Sequence, residues 1–541
     1  MKRFVTILVF CLPLYGVLAV APPSLAQDDA TPSPGSPPLA PQVVPIQEAG
    51  AQEAADAWEP SAIETQLDDL ASELSNMGIY EVQPLTGEQA LAVESTKGIG
   101  WEADCCSLGI RGNASYLYES PALSPNSLLN PNNRLKTAER SDQALLSLEV
   151  NAMVAPYIAW RAKGRVQHRS EWSDGQIQPE DTRYLDQGYF SFEIPRSWEA
   201  PALYFALGKQ RLKWGVGTLW NPVDTFNQSQ NLQANHDTEE GKVLYRLDSV
   251  WRELDLTLIS IPRFDHNDLT RVNFSPKQGE SFIGGKVHVF LWDADLSYYW
   301  TKKEQEGAKQ GVSFSLQYHD VQYYGEGLFW HGESNLRYPE LVEKRTPGVD
   351  PVSGKAYTNP ARYDFQTRNG NFHEQTFGLQ YTFLVDYTLV TEYHHNQEGY
   401  SKKDMDIYLQ YLRYIGGKYP RDKRSVERVN SEANLESQRS LLSLGNQVHP
   451  FANLRQNYLY LSFLWKNIFN RSQVQLEWIE NLDAQYDGAK QSSFARPTLT
   501  YTGIPRYEFS AYSQLYQGEN DSEFGMRESD QVNFMEIKYY F

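Results

Sequence analysis

Four cations stand at alternating positions in one short stretch of this chain. Arg161, Lys163, Arg165 and Arg169 share a parity with Gln167, while Trp160, Ala162 and Val166 take the other. Successive side chains of an extended strand point to opposite faces, so this spacing makes one cationic face and one apolar face. The chemistry of such a face is electrostatic: aligned guanidinium groups raise the local concentration of anions. If the apolar face meets lipid, the cations turn inward, because each would cost roughly 2–4 kcal/mol near the bilayer midplane. A bracing role, with each cation paired to a carboxylate on a neighbouring strand, stands beside the selective one.

A cationic face needs a sheet to carry it, and from about Ser107 onward apolar residues recur with period two. Leu146, Leu148, Val150, Ala152 and Val154 alternate with Ser147, Glu149 and Asn151; Phe377, Leu379, Tyr381, Phe383 and Val385 alternate with Gly378, Gln380 and Thr382. Leu459, Leu461, Phe463 and Trp465 do the same less cleanly. About 18 such spans can be placed, from 107–118 through 157–169 to 531–541. Their connections alternate in length. Long ones fall at 119–142, 170–182, 214–240, 262–280, 332–374, 398–454, 482–490 and 516–530, with a shorter one at 303–308. Short ones fall near 155–156, 195–200, 248–249, 293, 320, 386, 466–470 and 503–504. This predicts an all-β fold, a transmembrane antiparallel up-and-down β-barrel of about 18 strands with short periplasmic turns and long outer loops. An even count places both barrel ends in the periplasm. At that strand number the interior is wider than side chains alone can fill.

Composition agrees. The 541 residues carry a net charge of −19 at a mean hydropathy of −0.55. This excludes a helical membrane protein, which needs repeated apolar runs of about 20 residues, and the acidity argues against a nucleic-acid partner. The single long apolar run is N-terminal: Met1-Lys2-Arg3, an apolar stretch from Phe4 to Val20, then Ser24-Leu25-Ala26. It reads as a Sec signal peptide over 1–26, cleaved near Ala26. A Pro- and Ala-rich tether over 27–60 follows. An acidic periplasmic segment over 61–106 comes next, and the barrel takes 107–541. Ser61 and Glu64 form a capping box, and Ile63, Leu67, Leu70 and Leu74 make one helical stripe, so a short amphipathic helix is expected there. From Gln27 to Cys106 there are 15 acids and one base, Lys97, a net of −14. Lys2 and Arg3 add +2, which leaves only −7 on the barrel.

Strict alternation supplies an inventory of the lumen. The inward bases are Arg111, Arg161, Lys163, Arg165, Arg169, Arg246, Lys286, Arg496, Arg506 and Lys538. The inward acids are Glu149, Glu193, Glu253, Asp255, Asp295, Glu326, Glu392, Glu477, Glu508 and Glu536. The signs balance, with Glu149 on one neighbour of the arginine-rich strand and Glu193 on the other. Tyr118, Tyr298, Trp300, Trp330, Tyr393 and Tyr507 read as interfacial girdles. Cys105 and Cys106 suit a vicinal disulfide or two free thiols better than a metal site. With no CxxCH, HExxH or GxSxG motif, and with His394 and His395 on opposite faces, neither a metal, a cofactor nor an enzymatic activity is expected.

The last residues, Met535-Glu536-Ile537-Lys538-Tyr539-Tyr540-Phe541, resemble the C-terminal signature of Gram-negative outer-membrane β-barrels of the porin class. That resemblance implies recognition of Phe541 by the barrel-assembly machinery and residence among outer-membrane lipid and lipopolysaccharide. A second segment runs Leu207-Gly208-Lys209-Gln210-Arg211-Leu212-Lys213-Trp214-Gly215-Val216-Gly217-Thr218-Leu219-Trp220-Asn221-Pro222-Val223-Asp224. Strict alternation would turn Lys209, Arg211 and Lys213 outward with Leu203, Phe205 and Leu207. Either a bulge turns them into the lumen or they meet lipopolysaccharide phosphates at the rim. Trp214 and Trp220 would pack in a loop that folds inward past Asn221 and Asp224 to narrow the pore. This stretch is similar to the strand-to-loop signature of barrels related to the alginate-export family, which implies an 18-stranded barrel passing an anionic polysaccharide. The expected function is therefore passage of small hydrophilic solutes, anions among them, through a water-filled lumen. Inward loops from 214–240, 332–374 and 398–454 would set the constriction. An exporter of an anionic exopolysaccharide is the alternative, and the chain acts alone or as a homo-oligomer.

Overall fold

The computed structural model describes residues 99–541 apart from 104–105, 131–132, 134, 156, 174, 196–200, 227–240, 263–280, 305, 344–345, 350–355, 360–361, 384–385, 418–452, 470 and 484–489. The expected signal peptide, tether and amphipathic helix, and Cys105, lie outside the described residues.

Eighteen antiparallel strands form the wall: β1 (Cys106–Leu123), β2 (Arg140–Ala155), β3 (Ile158–Ser173), β4 (Gln176–Ile194), β5 (Ala202–Gln210), β6 (Lys242–Trp251), β7 (Leu254–Ile261), β8 (Phe282–Leu291) and β9 (Ala294–Lys303) make its first half. The second half is β10 (Ala308–Tyr318), β11 (Val321–Glu333), β12 (Asn369–Phe383), β13 (Tyr387–Asn396), β14 (Asn457–Ile468), β15 (Ser472–Asn481), β16 (Ser492–Tyr501), β17 (Tyr507–Gly518) and β18 (Ser529–Tyr540). Each pairs with its sequence neighbour, and β18 pairs with β1 from Asn113↔Tyr540 to Leu123↔Ser529, which closes the barrel. Closure leaves no free edge, the condition for a sheet to stand in lipid. Phe541 and Gly112 exchange two backbone hydrogen bonds of 3.0 Å. A Cβ at Gly112 would lie 2.6 Å from the Phe541 ring, so the glycine makes room for the terminal aromatic. Below that point a short strand, Ile99–Ala103, covers the remaining edge of β1.

The period-two pattern does what it predicts. Leu146, Leu148, Phe190, Phe205, Leu207, Val312, Phe314, Leu476, Met535 and Ile537 are exposed on the outer wall, an apolar area far beyond what a soluble monomer shows. It is the surface a bilayer covers. Short turns close one end, with Arg252, Trp292 and His319 at positive φ in two-residue hairpins whose backbone twist matches that of the strands.

At the other end the structure departs from the reading in three places. The connection expected at 170–182 is a continuation of β3 and β4, paired from Ser170↔Pro179 to Ser173↔Gln176. Inside 398–454 stands a helix, α1 (Lys402–Gly417). Ser401 caps it: Asp404 N–H donates to the Ser401 hydroxyl at 3.3 Å, and Ser401 N–H donates back to the Asp404 carboxylate at 3.1 Å. Met405, Tyr408, Leu409 and Leu412 fall on one helical face and pack with Leu129, Tyr338, Tyr400, Leu454 and Met526. These residues come from four different connections, so the long loops interlock into an apolar cap instead of standing apart. A small hairpin, Tyr338–Glu343 paired with Arg362–Gln366, completes it.

Candidate functional site

The lumen is built from two unlike halves. The first begins where β5 turns inward. β4 bulges at Asp186, between the pairs Lys163↔Gln187 and Gly164↔Leu185. Opposite it, Gly208 takes φ +129, and a Cβ there would lie 2.3 Å from the Gly188 carbonyl. Only glycine allows that backbone. The combined effect reverses the expected parity: Lys209, which alternation would face to lipid, is buried at 2% exposure, and Asp186 at 1%. Arg211 and Lys213 are half-buried, and Leu212 and Trp214 are buried.

Residues 211–226 then run across the lumen. Val216 N–H donates to Glu326 on β11 at 3.2 Å. The backbone N–H groups of Thr218, Leu219 and Trp220 donate to the Glu392 carboxylate on β13 at 2.5, 2.8 and 3.4 Å. Tyr324 OH donates to the same carboxylate at 2.8 Å and meets the Thr218 hydroxyl at 3.0 Å. β13 lies eight strands beyond β5 in a ring of eighteen, nearly opposite. A carboxylate taking three backbone donors is the same device that caps a helix N-terminus, here used to pin a loop. Gly215 (φ +92) lets the chain pass over Glu326. Asn221 donates its side-chain amide to the Trp214 carbonyl, and Asp224 N–H donates to the Asn221 carbonyl at 3.1 Å.

The loop's indoles anchor its two ends. Trp214 meets Phe226 edge-on at 4.5 Å and Tyr299 at 5.5 Å, in a cluster with Leu244, Ile259 and Phe282 on β6 to β9. Trp220 stacks on His394 at 4.8 Å within a cluster of Tyr458, Tyr460, Ile479, Phe494 and Phe524. Phe524 belongs to the β17–β18 connection. Its neighbour Glu523 accepts hydrogen bonds from Tyr458 OH at 2.8 Å and from Asn481 at 3.1 Å. Among the described residues two loops therefore enter the barrel, 211–226 and 519–528. The described parts of 332–374 and 398–454, expected to narrow the pore, build the cap, and Asn453 at its edge reaches His394 on the inner face at 3.3 Å. Trp330, expected in an outer girdle, is buried on the inner face with Lys309 over its ring at 5.3 Å.

The second half, β16 to β18 and β1 to β4, carries charge. Arg111 and Arg161 both pair with Glu149, at 2.8 and 2.6 Å. Arg165 pairs with Asp186 at 3.3 Å and lies over Tyr184 at 4.4 Å. Arg169 reaches Glu171 at 3.0 Å and Glu119 at 3.6 Å. Arg496 pairs with Glu477 at 2.5 Å, and Lys538 with Glu536 at 3.6 Å and Glu508 at 3.7 Å. The partners are not equally wet. Glu149 shows 7% of its side chain to solvent, against 26% for Arg111 and 29% for Arg161. Glu477 shows 4% against 20% for Arg496. At Glu149 and Glu477 the carboxylates lie beneath their guanidiniums, so these two sites present base to water, whereas Glu508 is more exposed than Lys538, at 26% against 12%, and Glu171 is as exposed as Arg169.

Other inventory members sit elsewhere. Arg246 pairs with its own strand neighbour Asp248 at 2.7 Å, and Lys286 is buried 5.9 Å from the Tyr299 ring centre. Glu193 lies at the short-turn end, where its N–H donates to the Tyr157 carbonyl; Asp186, not Glu193, meets the arginine-rich strand from β4. Arg506 and Glu253 lie exposed in turns and do not line the wall. Sequence reasoning missed Asp186 because a bulge cancels the parity rule. It missed Glu119, Glu171 and Glu523 because they stood in segments taken for outer loops.

No protein-family model matches this chain, and no curated protein matches it. Among solved structures it is similar to Pseudomonas aeruginosa OccK5 (OpdH), at 8% identity and TM-score 0.43, over 80% of this chain and 98% of that one. Acinetobacter baumannii OccAB4 matches at 10% identity and TM-score 0.43, over 80% and 98%. A mutant of the Rh. blastica porin matches at 9% identity and TM-score 0.36, over 80% and 100%. None of these matches shows the resemblance to the alginate-export family.

Proposed function

We propose that this chain is an outer-membrane channel for small hydrophilic solutes that favours anions. The observation that carries this reading is the division of the lumen. One half is filled by a pinned loop and its aromatic clusters, while on the other Arg111, Arg161 and Arg496 are more exposed than the buried carboxylates of Glu149 and Glu477 that they pair with. In a low-dielectric wall such a surface concentrates anions. Arg111, Arg161, Lys163 and Arg496 would form the attracting lane. The lipid-facing belt, the closed edge and the terminal aromatic pattern support residence in a Gram-negative outer membrane after signal-peptide removal. The exopolysaccharide exporter is not favoured, since a polymer needs a continuous wide lane and two loops meet across this one.

The test is conductance of the purified full chain in a planar bilayer under a potassium chloride gradient. Discrete steps with a reversal potential on the anion side are expected. No conductance would overturn the channel, and a cation-side potential would overturn the role of the guanidiniums.

A further inference from the structure

The upper part of β3 and β4, where spacing suggested a loop, carries a cluster that the lumen does not use. His168 stands directly opposite Asp181, and Ser170 opposite Pro179. The His168 Nδ1 lies 2.7 Å from the Asp181 carboxylate, and its Nε2 lies 3.3 Å from the Ser170 hydroxyl. An ionised carboxylate only accepts, so Nδ1 carries a proton, and in the neutral ring Nε2 is left to accept from Ser170. Hydroxyl, imidazole and carboxylate thus stand in the order that activates a serine for attack on an acyl carbon. No sequence motif announces this: His168 and Ser170 are two apart on one strand, and only strand pairing brings Asp181 to them.

The face that holds the cluster is the outer one. Ile158 and Val166 on β3 are exposed on the lipid side, and His168 and Ser170 continue their parity. From Ile158 to Val166 the strand climbs about 20 Å, at about 3.3 Å per residue and a tilt of about 40°. The apolar band of such a barrel is about 25 Å tall, so His168 and Ser170 stand at its upper boundary, where acyl chains meet their headgroups. Ile177, exposed, faces Trp172 just above. Arg140 lies over the Trp172 ring at 4.5 Å and pairs at 3.0 Å with Asp142, the residue facing Ser170 on β2. The side chains of His168 and Asp181 are 54% and 79% accessible, open to a lipid that arrives from the side.

We propose that Ser170, His168 and Asp181 form a second site, on the outside of the wall, that hydrolyses acyl esters of membrane lipids. The Ser170 Oγ adds to the ester carbonyl carbon while its proton passes to His168 Nε2. The bond to the lipid alcohol then breaks, and His168 returns the proton to that leaving oxygen. Water, deprotonated by His168, attacks the acyl-Ser170 ester and releases the fatty acid, and the proton restores the Ser170 hydroxyl. The balance is one ester and one water to one acid and one alcohol. Asp181 is a positioning residue that fixes the ring through Nδ1. The oxyanion needs a donor, and Arg140, beside the residue that faces Ser170, is the cation assigned to it. The site is independent of the channel reading, because it faces lipid and not the lumen.

The experiment uses the full chain, folded in detergent and reconstituted into phosphatidylethanolamine vesicles or mixed with lipopolysaccharide. Faster migration of unheated samples on a denaturing gel checks the fold of each variant. A fluorophosphonate probe reads nucleophile activation, with peptide mapping of the adduct, and released fatty acid reads hydrolysis. The adduct is expected on Ser170, and release from one of the two lipids names the substrate. Ser170→Ala and His168→Gln should each lower release about a hundredfold or more. Asp181→Asn should lower kcat about tenfold or more with KM unchanged, and Asp181→Glu should recover part of the loss. A folded chain that neither takes the probe nor releases fatty acid would overturn the proposal, as would release that persists in Ser170→Ala. Hydrolysis of a soluble acetate ester with none from either lipid would overturn the lipid substrate.

Discussion

The two halves of the lumen are made from the same period-two strands, yet they are finished by opposite means. Along β6 to β16 the inner face receives a loop whose backbone donors end on Glu326 and Glu392 and whose indoles end in aromatic clusters. Along β1 to β4 and the inner face around Arg496, ion pairs coat the wall among the described residues, and the second loop, 519–528, reaches only the aromatic cluster shared by β16 to β18. The difference teaches that a barrel of this width is not empty or full as a whole. Buried carboxylates close it where they find backbone N–H groups, and exposed guanidiniums keep it wet where they do not.

The largest expected effect comes from releasing the loop. Glu392→Ala leaves three N–H groups of the loop without an acceptor, at about 1–3 kcal/mol for each buried donor. The loop should leave the lumen, and bilayer conductance should rise several-fold; an unchanged conductance would place the constriction elsewhere. Next, Trp220→Ala removes the anchor against His394 and Tyr458. Deleting a buried aromatic costs about 3–5 kcal/mol, so lower denaturant resistance and noisier single-channel currents are expected. On the charged half the effects are smaller and lie in selectivity. Arg111→Gln with Arg161→Gln should move the reversal potential toward cations, whereas Glu149→Gln should move it further toward anions. If both variants shift it the same way, the sign of the exposed layer does not set selectivity.

The smallest effect is in pH. Burial lifts Glu523 and Glu398, both in the long connections, to about 7. Between the ordinary value of 4.5 and 7 the folded loops hold protons that unfolded chain would release. Their stability is therefore greatest below about 4.5 and falls as pH rises through 7. Protease nicking of the 519–528 loop should be slower at pH 5 than at pH 8, and Glu523→Gln should flatten that dependence. Asp404 behaves in the opposite way. Burial opposes its ionisation, but the Arg368 guanidinium and the Ser401 cap hold its carboxyl below the usual range, so α1 keeps its capped start throughout this window.

Much of the wall was legible because alternation is a local property. Leu146, Ser147, Leu148 and Glu149 declare their faces without knowledge of any neighbour. The helix was legible too: Ser401-x-x-Asp404 followed by Met405, Tyr408, Leu409 and Leu412 is a capping box before a stripe, hidden within a span taken as one outer loop. The inward turn of Lys209 was legible only as one of two alternatives. A bulge has no signature beyond the presence of Gly208, and the parity it reverses depends on the facing residue Asp186.

The sequence by itself determined a barrel of about 18 strands and the faces of most of them. Each follows from residue type and spacing along one strand. Only the tertiary structure decided which carboxylate meets which base, that Glu392 pins residues from eight strands away, and that Glu149 lies beneath its arginines. Those facts depend on ring closure, which brings together residues hundreds of positions apart and decides burial from both sides of the wall. The charge balance of the lumen was written in the chain, but which sign faces water was not.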